Sequence, residues 1–125
     1  MGIEKFDLLV VGGGAAGMAA ALTAKAHDPK AEVAILEKKE ALGKKLRATG
    51  NGRCNLSNTA IPGVEETIAF FKDQGIPVRA DETGRLYPFS ESAAAVVETL
   101  ALRIHQAGIL VYTEAAVEAL TPKDG

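Results

Sequence analysis

The chain opens with an apolar segment that carries no charged residue between positions 8 and 24. Its first part, residues 6–11 (FDLLVV), is aliphatic and β-branched, and its length is typical of a buried strand. Its later part, from Ala15 onward (AAGMAAALTAKA), has strong helix propensity. Glycines separate the two parts. The pattern therefore predicts a strand, a tight turn and a helix in succession.

The apolar and polar positions of the remaining chain predict further strands and helices. Apolar residues Val96, Val97, Leu100 and Ile104 form the expected core stripe of one helix. The predicted elements are a strand at 32–36, a helix at 63–75, a hairpin turning at 82–84, a helix at 90–108 and a strand at 109–113, after which a fourth run begins at 116–120. The segment 38–58 has no clear period and is predicted to be a loop.

The alternation of strands and helices indicates an α/β fold. We expect a Rossmann-like βαβ half of a doubly wound domain, which is a dinucleotide-binding architecture. Its parallel sheet should have the strand order third, second, first. The whole chain, residues 1–125, is expected to form one part of such a domain.

The turn after the first strand carries the spacing G-x-G-x-x-G at Gly12, Gly14 and Gly17. In this fingerprint the first glycine allows the tight turn, the second admits a pyrophosphate, and the third lets the helix pack closely on the sheet. Ala15 and Ala16 lie in the first turn of the helix, where unpaired N–H groups attract phosphate. The spacing alone is a weak signal, and a purely structural turn is the alternative.

A secretory signal peptide is a second interpretation of the same segment. Such peptides begin with a positive region, whereas Glu4 and Asp7 flank Lys5 here. Glycines within the apolar stretch also weaken an isolated helix. We therefore expect neither a signal peptide nor a membrane span.

The second predicted strand ends at Glu37, 20 positions after Gly17. The dinucleotide fingerprint has an acidic residue at about this distance, where it accepts hydrogen bonds from the adenosine ribose. A carboxylate there suits a free 2′-hydroxyl group and repels a 2′-phosphate. A solvated strand end is the alternative for Glu37 taken by itself.

The predicted loop at 38–58 is basic and rich in glycine and asparagine. Lys44, Lys45 and Arg53 can donate hydrogen bonds to phosphate oxygens. Gly50 and Gly52 would let the backbone approach a ligand. A solvated basic loop without a ligand is equally compatible with this composition.

Composition and charge exclude several other classes. The net charge of −2 and the absence of long like-charged blocks argue against nucleic-acid and polybasic membrane binding. A single cysteine, Cys54, excludes an internal disulfide framework and suits a reducing, cytoplasmic compartment. His27 and His105 lack partners at metal-ligand spacing, so no metal site is expected.

Three motifs resemble one known family. VVGGGAAGMAAA, EKKEALGKKLRATGNGRCNLSN and GRLYPFSESAAAVVETL are similar to segments of the BaiN-type NAD(P)/FAD-dependent oxidoreductases of bacteria, which are glutathione-reductase-like flavoproteins. The element TGNGRCNLSN at 49–58 is more specific than the glycine fingerprint, and GRLYPFS at 84–90 supports it independently.

The resemblance implies an FAD-binding protein that passes hydride between NAD(P)H, FAD and a small organic substrate. The glycine turn would hold the FAD pyrophosphate, Glu37 the ribose, and the backbone at Val117 would lie against the adenine. The basic loop would follow the pyrophosphate, ribityl chain and flavin edge. The cofactor-binding residues so implied are Gly12, Gly14, Ala15, Ala16, Gly17, Glu37, Lys38, Lys44, Lys45, Thr49, Gly52, Arg53, Cys54, Asn55 and Val117. Because disulfide-type flavin reductases carry a cysteine pair, we interpret Cys54 as a small packed residue rather than a redox centre.

The resemblance covers only the N-terminal portion of such an enzyme. Family members continue through a substrate domain and then return to the flavin domain, and both parts are absent from these 125 residues. The first strand should then be an exposed apolar edge, open to self-association or to a complementing chain. Whether the chain is itself an enzyme stays open. A truncated, non-catalytic dinucleotide-binding module is the alternative, and no catalytic residue is assigned.

Overall fold

The computed structural model describes residues 3–123, which form two compact units. The first unit comprises residues up to 42 together with those from 104 onward, and the second comprises residues 43–103. Each unit has its own three-stranded sheet.

The first unit is built on a parallel sheet of β1 (Leu8–Val11), β2 (Val33–Leu36) and β6 (Leu110–Tyr112). Its strand order is β1-β2-β6, so β2 is central. The predicted order of third, second and first strand is confirmed, because β6 is the third strand of this sheet. The side chains of β2 are almost wholly buried, which explains its unbroken apolar sequence VAIL.

Helix α1 (Ala15–His27) connects β1 to β2 and packs against both strands. Its buried residues are Met18, Ala21 and Leu22, which recur at i, i+3 and i+4 and so lie on one face. The helix ends before Pro29, and the N–H of Asp28 still donates to the carbonyl of Ala24 at 3.0 Å.

The outer strand β1 leaves much of its apolar surface uncovered. The side chains of Leu9 and Val11 are 48% and 59% exposed. Only β2 pairs with β1 within residues 3–123. The expectation of an apolar edge at the first strand is therefore met in this structure.

The second unit contains an antiparallel sheet in the order β3-β5-β4, formed by β3 (Ser57–Asn58), β4 (Val78–Ala80) and β5 (Arg85–Pro88). Helix α3 (Val64–Asp73) precedes β4. The β4–β5 hairpin turns at residues 81–84, as the sequence predicts, and Asp81 secures the turn. Its carboxylate accepts hydrogen bonds from the Thr83 hydroxyl and N–H and from the Arg85 N–H. These contacts, the Thr83 hydroxyl first, lower the pKa of Asp81.

Helix α4 (Ala93–Gln106) follows the hairpin. The Ser92 hydroxyl accepts a hydrogen bond from the Ala95 N–H at 3.1 Å and so caps the start of the helix. The predicted core stripe of this helix is confirmed, since Val96, Val97, Leu100 and Ile104 are all buried.

One prediction about local structure is wrong. The segment 38–58 is not a featureless loop, because it contains helix α2 (Lys44–Arg47), a 3-10 turn (Thr49–Gly52) and strand β3. These elements are too short to show a period, and their stability comes from packing of residues such as Leu46 and Cys54. The run at 116–120 forms neither a helix nor a strand, and its residues are exposed.

Candidate nucleotide-binding site

The turn between β1 and α1 is shaped by glycines with different functions. Gly12 has φ +102°, a backbone conformation that favours glycine. Its N–H donates to the carbonyl of Leu36 at 2.8 Å and so extends the β1–β2 pairing into the turn. A Cβ atom at Gly17 would lie 1.9 Å from the carbonyl oxygen of Gly12. The helix therefore approaches the strand more closely than any other residue at position 17 would allow.

The N-terminus of α1 is open. Gly14 is the N-cap residue, and no side chain of the described protein caps this helix end. A Cβ atom at Gly14 would meet no protein atom within 4 Å, and Ala15 and Ala16 are exposed. Unpaired N–H groups at the start of a 13-residue helix and its positive dipole end thus face free space. This is the geometry of an anion site.

Glu37 lies beside this turn at the end of β2. Its Oε1 atom accepts a hydrogen bond from the Gly13 N–H at 2.8 Å, and its Oε2 atom accepts one from the Lys39 N–H at 2.8 Å. The backbone bond from Lys39, followed by that from Gly13, lowers the pKa of Glu37. The carboxylate is therefore ionised at neutral pH. Each oxygen keeps a second lone pair for a ligand hydroxyl group.

The involvement of Gly13 was missed by the fingerprint, which counts only the first, third and sixth positions. A Cβ atom at Gly13 would lie 2.3 Å from Cδ2 of Leu42 and 3.4 Å from the Glu37 side chain. The run of three consecutive glycines was the available signal. A side chain at position 13 would meet Leu42, and the Gly13 N–H already donates to Glu37.

A cleft of ≈ 280 Å³ opens at the carboxyl ends of the parallel strands. This is close to the lower limit of about 300 Å³ for small-molecule sites and suits a nucleoside. The cleft brings together the predicted residues Gly12, Glu37, Lys38 and Val117. Its complete lining is Val11, Gly12, Leu36, Glu37, Lys38, Ala115, Ala116 and Val117.

The segment after β6 closes one side of this cleft. The N–H groups of Glu114 and Ala115 donate to the carbonyls of Lys39 and Glu37 at 2.8 and 2.9 Å. These two bonds hold the backbone that leads to Val117 against the end of β2. The placement of Val117 in the cleft therefore has a local structural cause, although no strand continues there.

The other predicted cofactor residues lie in the second unit. Lys44 and Lys45 are exposed on α2. The Thr49 hydroxyl donates to the carbonyl of Leu46 at 2.7 Å, and the Thr49 carbonyl accepts from the Cys54 N–H at 3.1 Å. Gly52, Arg53 and Asn55 complete this group and are exposed.

Cys54 is completely buried and has φ +67°. Burial raises the pKa of its thiol, so the sulfur is protonated at neutral pH. A thiolate is the reactive form of cysteine. The environment therefore matches the interpretation of Cys54 as a small packed side chain.

Residues 6–65 match the family described as HI0933-like protein Rossmann domain. This span contains β1, the glycine turn, α1, β2, Glu37 and the basic segment up to the start of α3. This match covers 60 of the 125 residues, so the N-terminal half of the chain is similar to HI0933-like Rossmann domains.

Two known proteins are similar to this chain in sequence or in structure. A 3-dehydro-bile acid delta(4,6)-reductase of Clostridium scindens is 39% identical over an alignment of 130 residues. The alignment covers 89% of this chain and 32% of the reductase. The THI4 protein of Thermovibrio ammonificans has the same fold, with a TM-score of 0.64 and 23% sequence identity over 86% of this chain and 38% of that one. The present chain spans about a third of the length of each protein.

These comparisons confirm the resemblance to BaiN-type flavoproteins and the predicted Rossmann-like α/β class. The matched part of the chain is therefore a Rossmann domain like those of these flavoproteins. FAD is therefore the cofactor that the family suggests. The donor set fits its ADP half, because the first unit offers free helix N–H groups for pyrophosphate and an ionised carboxylate for ribose.

Other kinds of site find no support in the described part of the chain. Across residues 3–123, no three His, Cys, Asp or Glu side chains come together as a metal ion requires. Both histidines are exposed. None of the helices within the same residues is long and apolar enough to cross a membrane.

Proposed function

We propose that this chain is the FAD-binding portion of a flavin-dependent oxidoreductase. The observation that carries the proposal is the open N-terminus of α1 at Gly14, next to the ionised carboxylate of Glu37. Together they match the two polar features of an ADP group, its anionic pyrophosphate and its hydrogen-bonding ribose hydroxyls. The cleft that extends to Val117 offers the remaining volume for adenine.

Each group of the first unit has a defined task in this proposal. The first-turn N–H groups of α1, at Ala15, Ala16 and Gly17, bind the pyrophosphate oxygens. Glu37 accepts hydrogen bonds from the ribose hydroxyls and disfavours a 2′-phosphate by charge repulsion. Lys38 lies at the cleft and adds positive charge near the phosphates. The backbone at Val117 contacts the adenine ring.

The proposed FAD ligands of the second unit rest on the family resemblance. They are Lys44, Lys45, Thr49, Gly52, Arg53, Cys54 and Asn55. The chemistry that FAD supplies when bound is hydride acceptance and donation. We propose NAD(P)H as the electron donor and a small organic molecule as the acceptor, as the bile acid reductase relative suggests.

Competition binding tests the proposed site. FAD should stay with the purified chain through gel filtration and show its visible absorption bands. ADP should displace FAD, whereas riboflavin should not, because the helix N–H groups and Glu37 bind the ADP half of FAD in this proposal. Adenosine 2′,5′-bisphosphate should compete at least tenfold less well than AMP, which has the same 5′-phosphate but no 2′-phosphate. Displacement by riboflavin but not by ADP would contradict the proposal.

Two variants show whether Glu37 causes this discrimination. Glu37→Gln should bring AMP and adenosine 2′,5′-bisphosphate to within about threefold of each other, since the repelling charge is gone. Glu32→Gln is the matched control, because Glu32 is exposed and lies in the same unit, just before β2. If the two variants discriminate equally between ligands with and without a 2′-phosphate, Glu37 does not bind the ribose.

A second candidate is a dinucleotide-binding module without catalysis of its own. The first unit favours this candidate, because all of its described site groups would contact the nucleotide half of FAD. The oxidation of NADH or NADPH by the FAD-loaded chain separates the candidates. Turnover above that of free FAD supports the enzyme, and binding without turnover supports the module.

We also propose that β1 is a pairing edge for a second copy or a complementing chain. The exposed Leu9 and Val11 side chains support this, together with the unpaired outer side of the strand. Leu9→Lys should reduce self-association in sedimentation velocity. Leu102→Lys is the control, since Leu102 is 54% exposed on α4. Equal behaviour of both variants would exclude β1 as the interface.

We also propose a cytoplasmic location for this chain, which the single unpaired Cys54 supports.

A further inference from the structure

The second unit contains a polar cavity of ≈ 550 Å³ on the face of the β4–β5 hairpin. Arg79 of β4 lies opposite Tyr87 of β5 in the strand register, and Arg85 is two residues before Tyr87. Alternate residues of a strand share one face, so the hairpin itself places these three side chains together. The complete lining is Arg53, Arg79, Ala80, Asp81, Glu82, Thr83, Arg85, Tyr87 and Glu91.

Two of the arginines in this cavity are held against aromatic rings. The guanidinium of Arg53 lies 4.6 Å from the ring centre of Tyr87 and donates to the Tyr87 hydroxyl at 3.4 Å. The guanidinium of Arg79 lies 5.9 Å from the ring centre of Phe89. Tyr87 is only 5% exposed and is therefore a fixed support. A stacked guanidinium uses its face for the ring and keeps N–H groups at its edge for an anion.

The carboxylate of Glu91 bridges these two arginines. Its Oε2 atom accepts a hydrogen bond from Nη2 of Arg79 at 3.1 Å, and its Oε1 atom lies 3.6 Å from Nη1 of Arg53. The Glu91 backbone has φ +49°, an uncommon conformation for a residue with a side chain. All three side chains are between 39% and 55% exposed, and ion pairs this exposed contribute little to stability. Glu91 can therefore leave the pair at small cost.

The remaining acidic groups of the cavity do not compete for this pair. The Asp81 carboxylate accepts hydrogen bonds from Thr83 and from the Arg85 N–H, so it is engaged within the hairpin turn. Glu82 is exposed in the same turn. The Arg85 guanidinium lines the cavity beside them as a third cation.

We propose that the Arg53–Arg79 pair anchors a binding site for a small organic carboxylate, with Glu91 as the internal carboxylate that the ligand displaces. The ligand carboxylate takes the two-guanidinium position that Glu91 occupies, and Glu91 turns to solvent. A second acidic group on the ligand would meet Arg85. The site lies entirely within the second unit. It shares Arg53 with the residues that the family resemblance implies for FAD, so the titrations use the chain freed of FAD.

Titration of the full chain with succinate tests this site by calorimetry. Glu91→Gln should bind succinate at least fivefold more tightly than the wild type, because the internal competitor loses its charge. The double variant Arg79→Gln, Glu91→Gln should lose at least tenfold of that affinity. Glu98→Gln, at an exposed position of α4, should match the wild type, and uncharged succinamide should not bind.

A second variant guards against a folding effect. Glu91→Gly removes the carboxylate and suits the positive φ angle, so it should reproduce the gain in succinate affinity. Gly14→Ala should leave succinate binding unchanged, which separates this site from the proposed FAD site. The proposal is overturned if neither Glu91 variant gains affinity, or if removal of the Arg79 charge leaves the affinity intact.

Discussion

The two units of this chain use glycine-rich turns of similar composition for different structural reasons. In the first unit, Gly17 is required because the carbonyl of Gly12 lies where its Cβ atom would be. In the second unit, Gly50 has φ +58° and lies close to the Asn55 backbone. The first turn thus exposes backbone donors at a helix end, whereas the second folds the chain back on itself. Similar composition therefore does not imply similar chemistry.

The largest effect is expected from Gly17→Ala. The new Cβ atom would lie 1.9 Å from the Gly12 oxygen, a backbone atom that cannot rotate away. We expect a loss of about 3 kcal/mol or more in the free energy of unfolding. Urea denaturation followed by circular dichroism measures it. A loss below about 1 kcal/mol would mean that the helix and strand do not approach as closely as described.

Gly50→Ala should have the next largest effect. It combines a positive φ angle with a Cβ atom only 2.8 Å from the Asn55 nitrogen and 3.3 Å from the Tyr87 ring. A loss of about 2 kcal/mol is expected in the same denaturation experiment. Stability equal to that of the wild type would contradict the description of this turn.

Glu37→Gln should change the pH dependence of stability. The folded-state pKa of Glu37 is lowered, so its ionised form stabilises the fold fully at pH values above the ordinary glutamate pKa of about 4.3. This contribution is lost as the pH falls below that value through the folded-state pKa. The difference between wild type and variant should therefore be present at pH 7 and shrink toward pH 3. A difference that stays constant over this range would exclude the carboxylate charge as its source.

Tyr87→Phe should have the smallest effect. It removes the acceptor of a 3.4 Å hydrogen bond from Arg53 but keeps the ring against which the guanidinium stacks. The stability should change by less than about 1 kcal/mol. Tyr87→Leu, which removes the aromatic ring as well, should change it more. The order of these two variants distinguishes stacking from hydrogen bonding as the support of Arg53.

The sequence predicted the first unit well because its signals are local. Gly12, Gly14 and Gly17 mark a turn between a strand and a helix, and the acidic residue at position 37 follows at the expected distance. The role of Gly13 was missed, since it depends on Leu42 and Glu37, which become neighbours only after folding.

The second unit was predicted less completely because its features arise from pairing between distant segments. The hairpin and α4 were found from turn residues and helical spacing. Strand β3 was missed, since two residues carry no periodic signal and depend on pairing with β5. The Arg53–Arg79 pair was likewise invisible, because 26 positions separate its members and the fold alone places both beside Glu91.

The most direct test of the central claim is FAD binding by Gly14→Ala. The added Cβ atom meets no protein atom within 4 Å, so the variant should fold with a loss of about 1 kcal/mol from the poorer N-cap residue. It projects into the space assigned to the pyrophosphate. Equilibrium dialysis should therefore show at least a hundredfold weaker FAD binding than the wild type. Unchanged FAD affinity in the folded variant would show that the N-terminus of α1 is not the pyrophosphate site.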